Sequence, residues 1–214
     1  DMLGFILYPK SPRYVEPHVI ADIVSKTKDS RWGIDQLSTQ AQSPNPQSSI
    51  LNAPRFVGVF VNEPDTRVAE IMAETGLDYA QLHGAESPET VVSFGGRAFK
   101  ALRPADAVEA KEQAQRFALL GPADGPRWMI DAYDPEEYGG TGKRADWHVA
   151  AELARRYPGL LLAGGLTPDN VVAAVHAVKP WGVDVSSGVE IAPGKKDHAK
   201  VCAFVERVHN KKHD

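Results

Sequence analysis

Seven short apolar runs, each followed by an amphipathic or alanine-rich stretch, pace this chain from one end to the other. The runs lie near 2–7 (MLGFIL), 56–61 (FVGVFV), 78–82 (DYAQL), 98–102 (AFKAL), 127–131 (RWMID), 160–163 (LLLA) and 182–186 (GVDVS). The helical stretches lie near 16–28, 64–75, 87–93, 105–119, 146–156, 168–178 and 196–209. Apolar runs without polar alternation suit strands buried on both faces. Strands that alternate with helices pair in parallel, since each parallel crossover needs a long return. The fold class narrows to α/β, a parallel sheet covered by helices. Ser87-Pro88 and Thr167-Pro168 each set a capping hydroxyl before a proline at the first helical position.

Two glycine-rich turns add function to this pattern. Leu162-Ala163-Gly164-Gly165-Leu166-Thr167-Pro168 and Val183-Asp184-Val185-Ser186-Ser187-Gly188-Val189 each follow a strand-like run and precede a segment with helical features. Glycine lets backbone N–H groups approach an anion with no Cβ in the way, and a following helix N-terminus adds partial positive charge. Parallel α/β barrels build a phosphate site of this kind after their seventh and eighth strands. The expected fold is therefore a (β/α)8 barrel (TIM barrel) of the phosphate-binding type. Seven of its eight strand–helix units are visible, and the chain opens at Asp1-Met2-Leu3-Gly4-Phe5, already inside a strand. The reading is a single domain over 1–214 with its first unit missing; an open seven-stranded sheet is the competing one. Residues 38–53, rich in Ser, Gln, Pro and Asn, read as a flexible insertion between a helix and a strand, on the face away from chemistry.

Composition excludes several classes. With 214 residues and 43% hydrophobic content, the chain can build a sizeable core. A net charge of −4 with no long run of one sign argues against a nucleic-acid binder. The pairs Lys195-Lys196 and Lys211-Lys212 read as solvated surface. No apolar stretch reaches the ~20 residues that span a bilayer, and the N-terminus lacks signal-peptide features. One cysteine, Cys202, permits no intrachain disulfide or Cys-rich zinc site. A cytoplasmic location and a small-molecule partner fit this profile.

Active sites in such barrels use strand C-termini and the loops after them. That rule selects Arg13, Asn62, His83, Arg103, Asp131, Asp184 and Ser186-Ser187. Asp131 ends an apolar strand, where a carboxyl can act as general acid or base, or equally cap a helix or pair with an arginine. Arg13, in a proline-stiffened turn, can grip a carboxylate or phosphate, or be plain surface. His83 reads as polar lining or catalytic. Gly139, Gly140, Thr141 and Gly142 lie in a run that fails as a nucleotide P-loop, because Arg144 stands where Ser or Thr should follow Lys143. They suit a loop that closes over substrate. The histidines show no ligand spacing, so no metal is expected. Cys202 falls within the last helix, expected to face the helix ring or the core.

These residues, in this order, resemble the phosphoribosylanthranilate isomerase family of tryptophan biosynthesis. The pieces are LGFILYPKSPRYV (3–15), VGVFVNEP (57–64), YAQLHGAES (79–87), FKALRP (99–104), IDAYDPEEYGGTGKRADW (130–147), LLAGGLTPDNV (161–171) and VDVSSGVEIAPGKKD (183–197). The resemblance implies an Amadori rearrangement of N-(5-phosphoribosyl)anthranilate to 1-(2-carboxyphenylamino)-1-deoxyribulose 5-phosphate, with no cofactor. It implies Asp131 as general acid, Arg13 on the anthranilate carboxylate, and His83 and Asp184 as further substrate-binding positions. It puts phosphate on the N–H groups around Gly164, Gly165, Ser187 and Gly188. A monomer or weak homodimer is expected.

The resemblance also implies a general-base cysteine on a first strand upstream of Asp1, which the 214 residues do not contain. Cys202 lies in the wrong element to replace it. The chain as written is therefore expected to turn over poorly. A catalytically silent phosphate-binding domain, truncated or split, is the alternative. Another phosphate-barrel enzyme such as indole-glycerol-phosphate synthase would need catalytic Lys and Glu at strand ends. Here Lys100 sits one residue out of that pattern, with no matching Glu set.

Overall fold

The structure, a computed structural model, describes residues 1–29, 54–131 and 147–210. The 38–53 insertion and the Gly139, Gly140, Thr141, Gly142 loop fall outside the described residues. Two compact units divide the chain, 1–81 and 82–214.

The first unit runs β1 (Met2–Ile6), α1 (Pro17–Asp29), β2 (Arg55–Phe60), α2 (Asp65–Thr75) and into β3 (Tyr79–Leu82). β1 and β2 pair in parallel, with Met2 opposite Arg55 and Ile6 opposite Val59. Entry to β3 is fixed by Asp78, whose carboxylate accepts from the Phe56 N–H at 2.8 Å. Its own N–H donates to the Phe56 carbonyl at 2.9 Å. α1 lies against α2 and buries Ile20 and Val24. Removing a side chain of this size from water stabilises by about 1.5–3 kcal/mol. α2 stops at Gly76, whose φ of 72° closes the last turn through its N–H to the Met72 carbonyl. Lys28, at the end of α1, donates to the Gly76 carbonyl at 3.0 Å and so joins the two helix ends.

The second unit holds α3 (Pro88–Ser93), β4 (Ala98–Leu102), α4 (Ala107–Phe117), β5 (Trp128–Asp131), α5 (Trp147–Arg156), β6 (Leu160–Ala163), α6 (Val171–Val178) and β7 (Gly182–Val183). A short hairpin comes after them, β8 (Glu190–Ala192) with β9 (Lys195–Lys196), and then α7 (His198–His209). Within this unit the parallel strands lie in chain order, β4 to β7. Their register sets Leu102 beside Ile130, Ile130 beside Leu162 and Leu162 beside Val183. Phe99, Trp128, Leu160 and Leu162 are buried almost completely. α4 to α7 pack neighbour on neighbour. Ser87 caps α3 as its sequence suggests, accepting from the Thr90 N–H, with Pro88 beginning the helix.

Two expectations change. Thr167 is not the cap of α6. That helix begins at Val171, and Thr167 to Asn170 form a preceding turn in which the Thr167 carbonyl accepts from the N–H groups of Asn170 and Val171. The strand expected over 182–186 is only Gly182–Val183. Pairing carries on as far as the Asp184 N–H, which donates to the Leu162 carbonyl at 2.8 Å. β6 then ends at Ala163, where Gly164 turns at φ 92°, and the residues after Asp184 have no strand to pair with. The chain enters a three-residue 3₁₀ turn, Ser187–Val189, and then the hairpin, in place of an α-helix.

Candidate active site

Asp131 is the last residue of β5 and stands opposite Ala163, the last of β6. Gly164 and Gly165 come directly after. Asp184 follows β7 and is bonded through its backbone to Leu162. Parallel register thus lines up a carboxylate, a glycine turn and a second carboxylate on three neighbouring strand ends. His83, one residue beyond β3, completes the group: its Nε2 lies 3.4 Å from Asp131 Oδ2. Both side chains keep part of their surface open, 20% for His83 and 28% for Asp131, as groups that meet a ligand must. The separation is an ion-pair distance, longer than a strong hydrogen bond.

Water reaches Asp184, yet protein rings it. This low-polarity surround and then the charge on Asp131 raise its carboxyl to about 6, against the pull of His83 and Lys196. Water access weakens the first cause more than the second. Asp184 therefore holds a proton closer to neutral pH than an isolated aspartate does.

The first glycine turn is held by one side chain. Asn170 Nδ2 donates to the Gly165 carbonyl at 2.9 Å, and Asn170 Oδ1 accepts from the Thr167 N–H at 2.8 Å. Asn170 therefore has no capping bond left for α6. The N–H groups of Gly164 and Gly165 have no acceptor among the described residues. At Gly165 the φ of 62° puts the backbone in the left-handed region, and a Cβ there would point into open space. The second turn is held differently. Gly188 sits against the Leu166 carbonyl so closely that a Cβ would come within 1.9 Å of the oxygen. Ser187 opens the 3₁₀ turn beside it. Lys196 Nζ donates to the Ser186 carbonyl at 2.9 Å and pairs with Glu190 at 3.2 Å.

In the first unit, Arg13 follows β1 in a turn closed by Ser11 N–H to the Tyr8 carbonyl and by the return of Tyr14 to bridge with Ile6. The Arg13 N–H donates to Ser11 Oγ at 3.1 Å. Asn62, just beyond β2, is in the left-handed region at φ 53°, which asparagine tolerates better than most residues. Arg103, just beyond β4, is exposed. Among the described residues no group of three or more His, Cys, Asp or Glu side chains could hold a metal ion. Also among them, no helix is long and apolar enough to cross a membrane.

Other residues differ from their sequence reading. Cys202 is exposed on α7, not turned to neighbouring helices or the core. Lys196 is not merely solvated, since it ties the Ser186 carbonyl; its pattern in sequence, Lys-Lys after Pro-Gly, carried no sign of this. Lys100 is buried in β4 against Glu86 at 3.3 Å. The β4–β5 register puts it beside Trp128, on the face opposite Met129 and Asp131.

Successive parallel strand–helix units, ending in carboxylates beside glycine turns, put the chain in the (β/α)8-barrel class of enzymes, with seven strands of that kind in this chain. The chain belongs to the N-(5'-phosphoribosyl)anthranilate isomerase family, whose model matches residues 16–207. It is 38% identical over 210 residues to the N-(5'-phosphoribosyl)anthranilate isomerase of Geobacter sulfurreducens, covering 97% of this chain and 87% of that protein. It is 39% identical over 218 residues to that of Magnetococcus marinus, covering 97% and 84%. The crystal structure of phosphoribosyl anthranilate isomerase from Thermotoga maritima superposes with a TM-score of 0.77 at 32% identity, over 98% of this chain and 88% of that one. A further structure of the isomerase, in complex with reduced 1-(o-carboxyphenylamino)-1-deoxyribulose 5-phosphate, gives 0.74 at 28% identity, with 98% and 88% covered.

Proposed function

We propose that the strand ends of the second unit supply the acid and the phosphate grip for the Amadori rearrangement of N-(5-phosphoribosyl)anthranilate. The observation that carries this reading is the alignment of Asp131 with Ala163, immediately before the glycine turn. A phosphate on the Gly164–Gly165 and Ser187–Gly188 N–H groups leaves the sugar ring beside the carboxyl of Asp131. Asp131 gives its proton to the ring oxygen as the C1–O bond breaks, and the anthranilate nitrogen's lone pair forms the C1=N bond. Loss of the C2 proton then gives the enolamine, which ketonises at C2. His83 and Asp184 bind the opened chain. Arg13 takes the anthranilate carboxylate, as the family resemblance implies. No cofactor or metal takes part.

The family resemblance assigns C2 proton removal to a cysteine that the 214 residues do not contain, and Cys202, exposed on α7, does not take that role. We take the chain to act as one catalytic domain in the cytoplasm, as a monomer or weak homodimer. The Thermotoga maritima relative is known as a dimeric isomerase from which monomers were generated. The test is an isomerase assay on this 214-residue chain, beside calorimetric binding of a reduced product analogue. Binding with turnover reduced by ~10²–10⁴-fold, the usual share of a positioned general base, is expected. Near-normal turnover would show that a group within the chain removes the proton and would overturn these roles. Failure to bind the analogue would remove the phosphate grip.

A further inference from the structure

Lys100 does not touch the strand-end cluster, yet it governs the backbone that carries His83. Its Nζ donates to the carbonyls of Leu82 at 3.0 Å and Gly84 at 2.7 Å, the residues on either side of His83. A third bond goes to the Ala101 carbonyl at 3.0 Å. An ammonium has three protons, so these carbonyls and the Glu86 carboxylate saturate it. Glu86 Oε2 lies 3.3 Å from Nζ and also accepts from the Gly84 N–H at 2.8 Å. Gly84 is thus held at both its N–H and its carbonyl, and Leu82 at its carbonyl. The two side chains are only 6% and 5% exposed. Burial lowers the Lys100 pKa, and Glu86 opposes that shift.

A buried ammonium costs several kcal/mol to desolvate, and methionine would fill the same space without that cost. Stability therefore does not explain the choice of lysine. Geometry does. With the peptides before and after it fixed, His83 keeps only its two side-chain torsions, and its ring points at Asp131 Oδ2. On its other side the turn borders a cavity of about 310 Å³, lined by His83, Glu86, Lys100 and Arg103 among others, so an unclamped turn has room to shift.

We propose that Lys100 is a positioning residue for the isomerase: with Glu86 it clamps the peptides flanking His83 and so sets the line on which His83 meets Asp131. The consequence for turnover rests on the reading of Asp131 as the acid. The clamp itself does not.

The test is a cycle read on the imidazole of His83 by long-range ¹H–¹⁵N spectra, its signals assigned by their loss in His83→Gln. Lys100→Met alone would strand the Glu86 charge, so the variant is Lys100→Met with Glu86→Gln, compared with Glu86→Gln alone and with Lys100→Gln. In the parent chain, Asp131→Asn should move the ¹⁵N shifts of the His83 ring, because the ring loses its partner at 3.4 Å. In the Lys100→Met, Glu86→Gln background the same change should move them by less than half as much, while Glu86→Gln alone keeps the full effect. Turnover in that background should fall about ten- to a hundredfold, the scale of a misplaced group, with KM unchanged. An undiminished coupling in a folded Lys100 variant overturns the proposal. So does unfolding of both Lys100 variants, which would make the residue one of stability alone. Asp131→Asn with undiminished turnover would instead defeat the acid reading and leave the ring coupling, and the clamp, standing.

Discussion

The acid side and the phosphate side that we propose for the strand-end row are built from different material. The acid side is side chains: His83, Asp131 and Asp184, from three strand ends, related by one 3.4 Å contact and by charge. The phosphate side is backbone: Gly164, Gly165, Ser187 and Gly188, held in place by Asn170, Lys196 and the Leu166 carbonyl. The difference teaches where tolerance should lie. A side-chain site loses its chemistry and keeps its shape when one group is made isosteric. A backbone site loses its shape when a methyl is added.

The largest effect should come from the acid side. Asp131→Asn keeps the volume and removes the proton, so kcat should fall by about 10²–10⁴-fold with little change in binding of a reduced product analogue. Stopped-flow turnover and calorimetric binding measured together decide it. Equal losses in both would make Asp131 a binding group and erase the contrast.

Next is Gly188→Ala. The new Cβ would lie 1.9 Å from the Leu166 carbonyl oxygen, a backbone atom that cannot swing away. The two turns must separate, with a loss of about 1–3 kcal/mol in thermal or denaturant unfolding and of tenfold or more in analogue affinity. Gly165→Ala has open space and meets only the cost of a left-handed alanine, about 1–2 kcal/mol. If Gly165→Ala weakened binding more than Gly188→Ala, crowding would not be what shapes this end.

Asn170→Ala separates the glycine turn from its support. Two hydrogen bonds go, each with a net worth of about 0.5–1.5 kcal/mol. Analogue affinity should drop by about five- to tenfold, and kcat at saturation should hold, because the acid side is untouched. A fall in kcat at unchanged affinity would show that the two sides are mechanically one.

Legibility in the sequence divides along the same line. Each of the seven strand runs met a strand, with ends moved by a residue or two except at β7; in β2 to β6 burial on both faces writes a continuous apolar run into the sequence, while β1 and β7 are more open. The first glycine turn was legible as a turn because glycine is the residue that most readily takes φ values such as 92° and 62° at Gly164 and Gly165. Asp131 was legible by its place at a strand end. The supports were not. Asn170, Lys196, and the Lys100–Glu86 pair act through carbonyls up to 18 residues away in the chain, and a polar side chain in sequence does not announce which carbonyl it will meet. The 3₁₀ turn and hairpin after β7 were hidden for another reason: β7 ends where its partner β6 ends, and that is a property of the pair.

The smallest effect should separate charge from shape within the acid side. The Asp184 carboxyl is raised to about 6, first by its protein surround and then by Asp131. Its folded pKa exceeds its unfolded one, so the folded chain binds the proton more tightly than the unfolded chain between the two values. The stability that Asp184 contributes is present below about pH 4 and is lost as pH rises through about 6. Asp184→Asn is neutral at every pH and escapes that loss. Its Tm should exceed the parent's at about pH 7.5 by a few degrees at most, since water reaches the group, and the gain should vanish towards about pH 4. Asp131→Asn should give part of the same gain by removing the repelling neighbour. The two together should give less than their sum, because one repulsion cannot be relieved twice. Strict additivity would mean that the carboxylates do not feel each other, and the acid side would then be three separate groups instead of one coupled site.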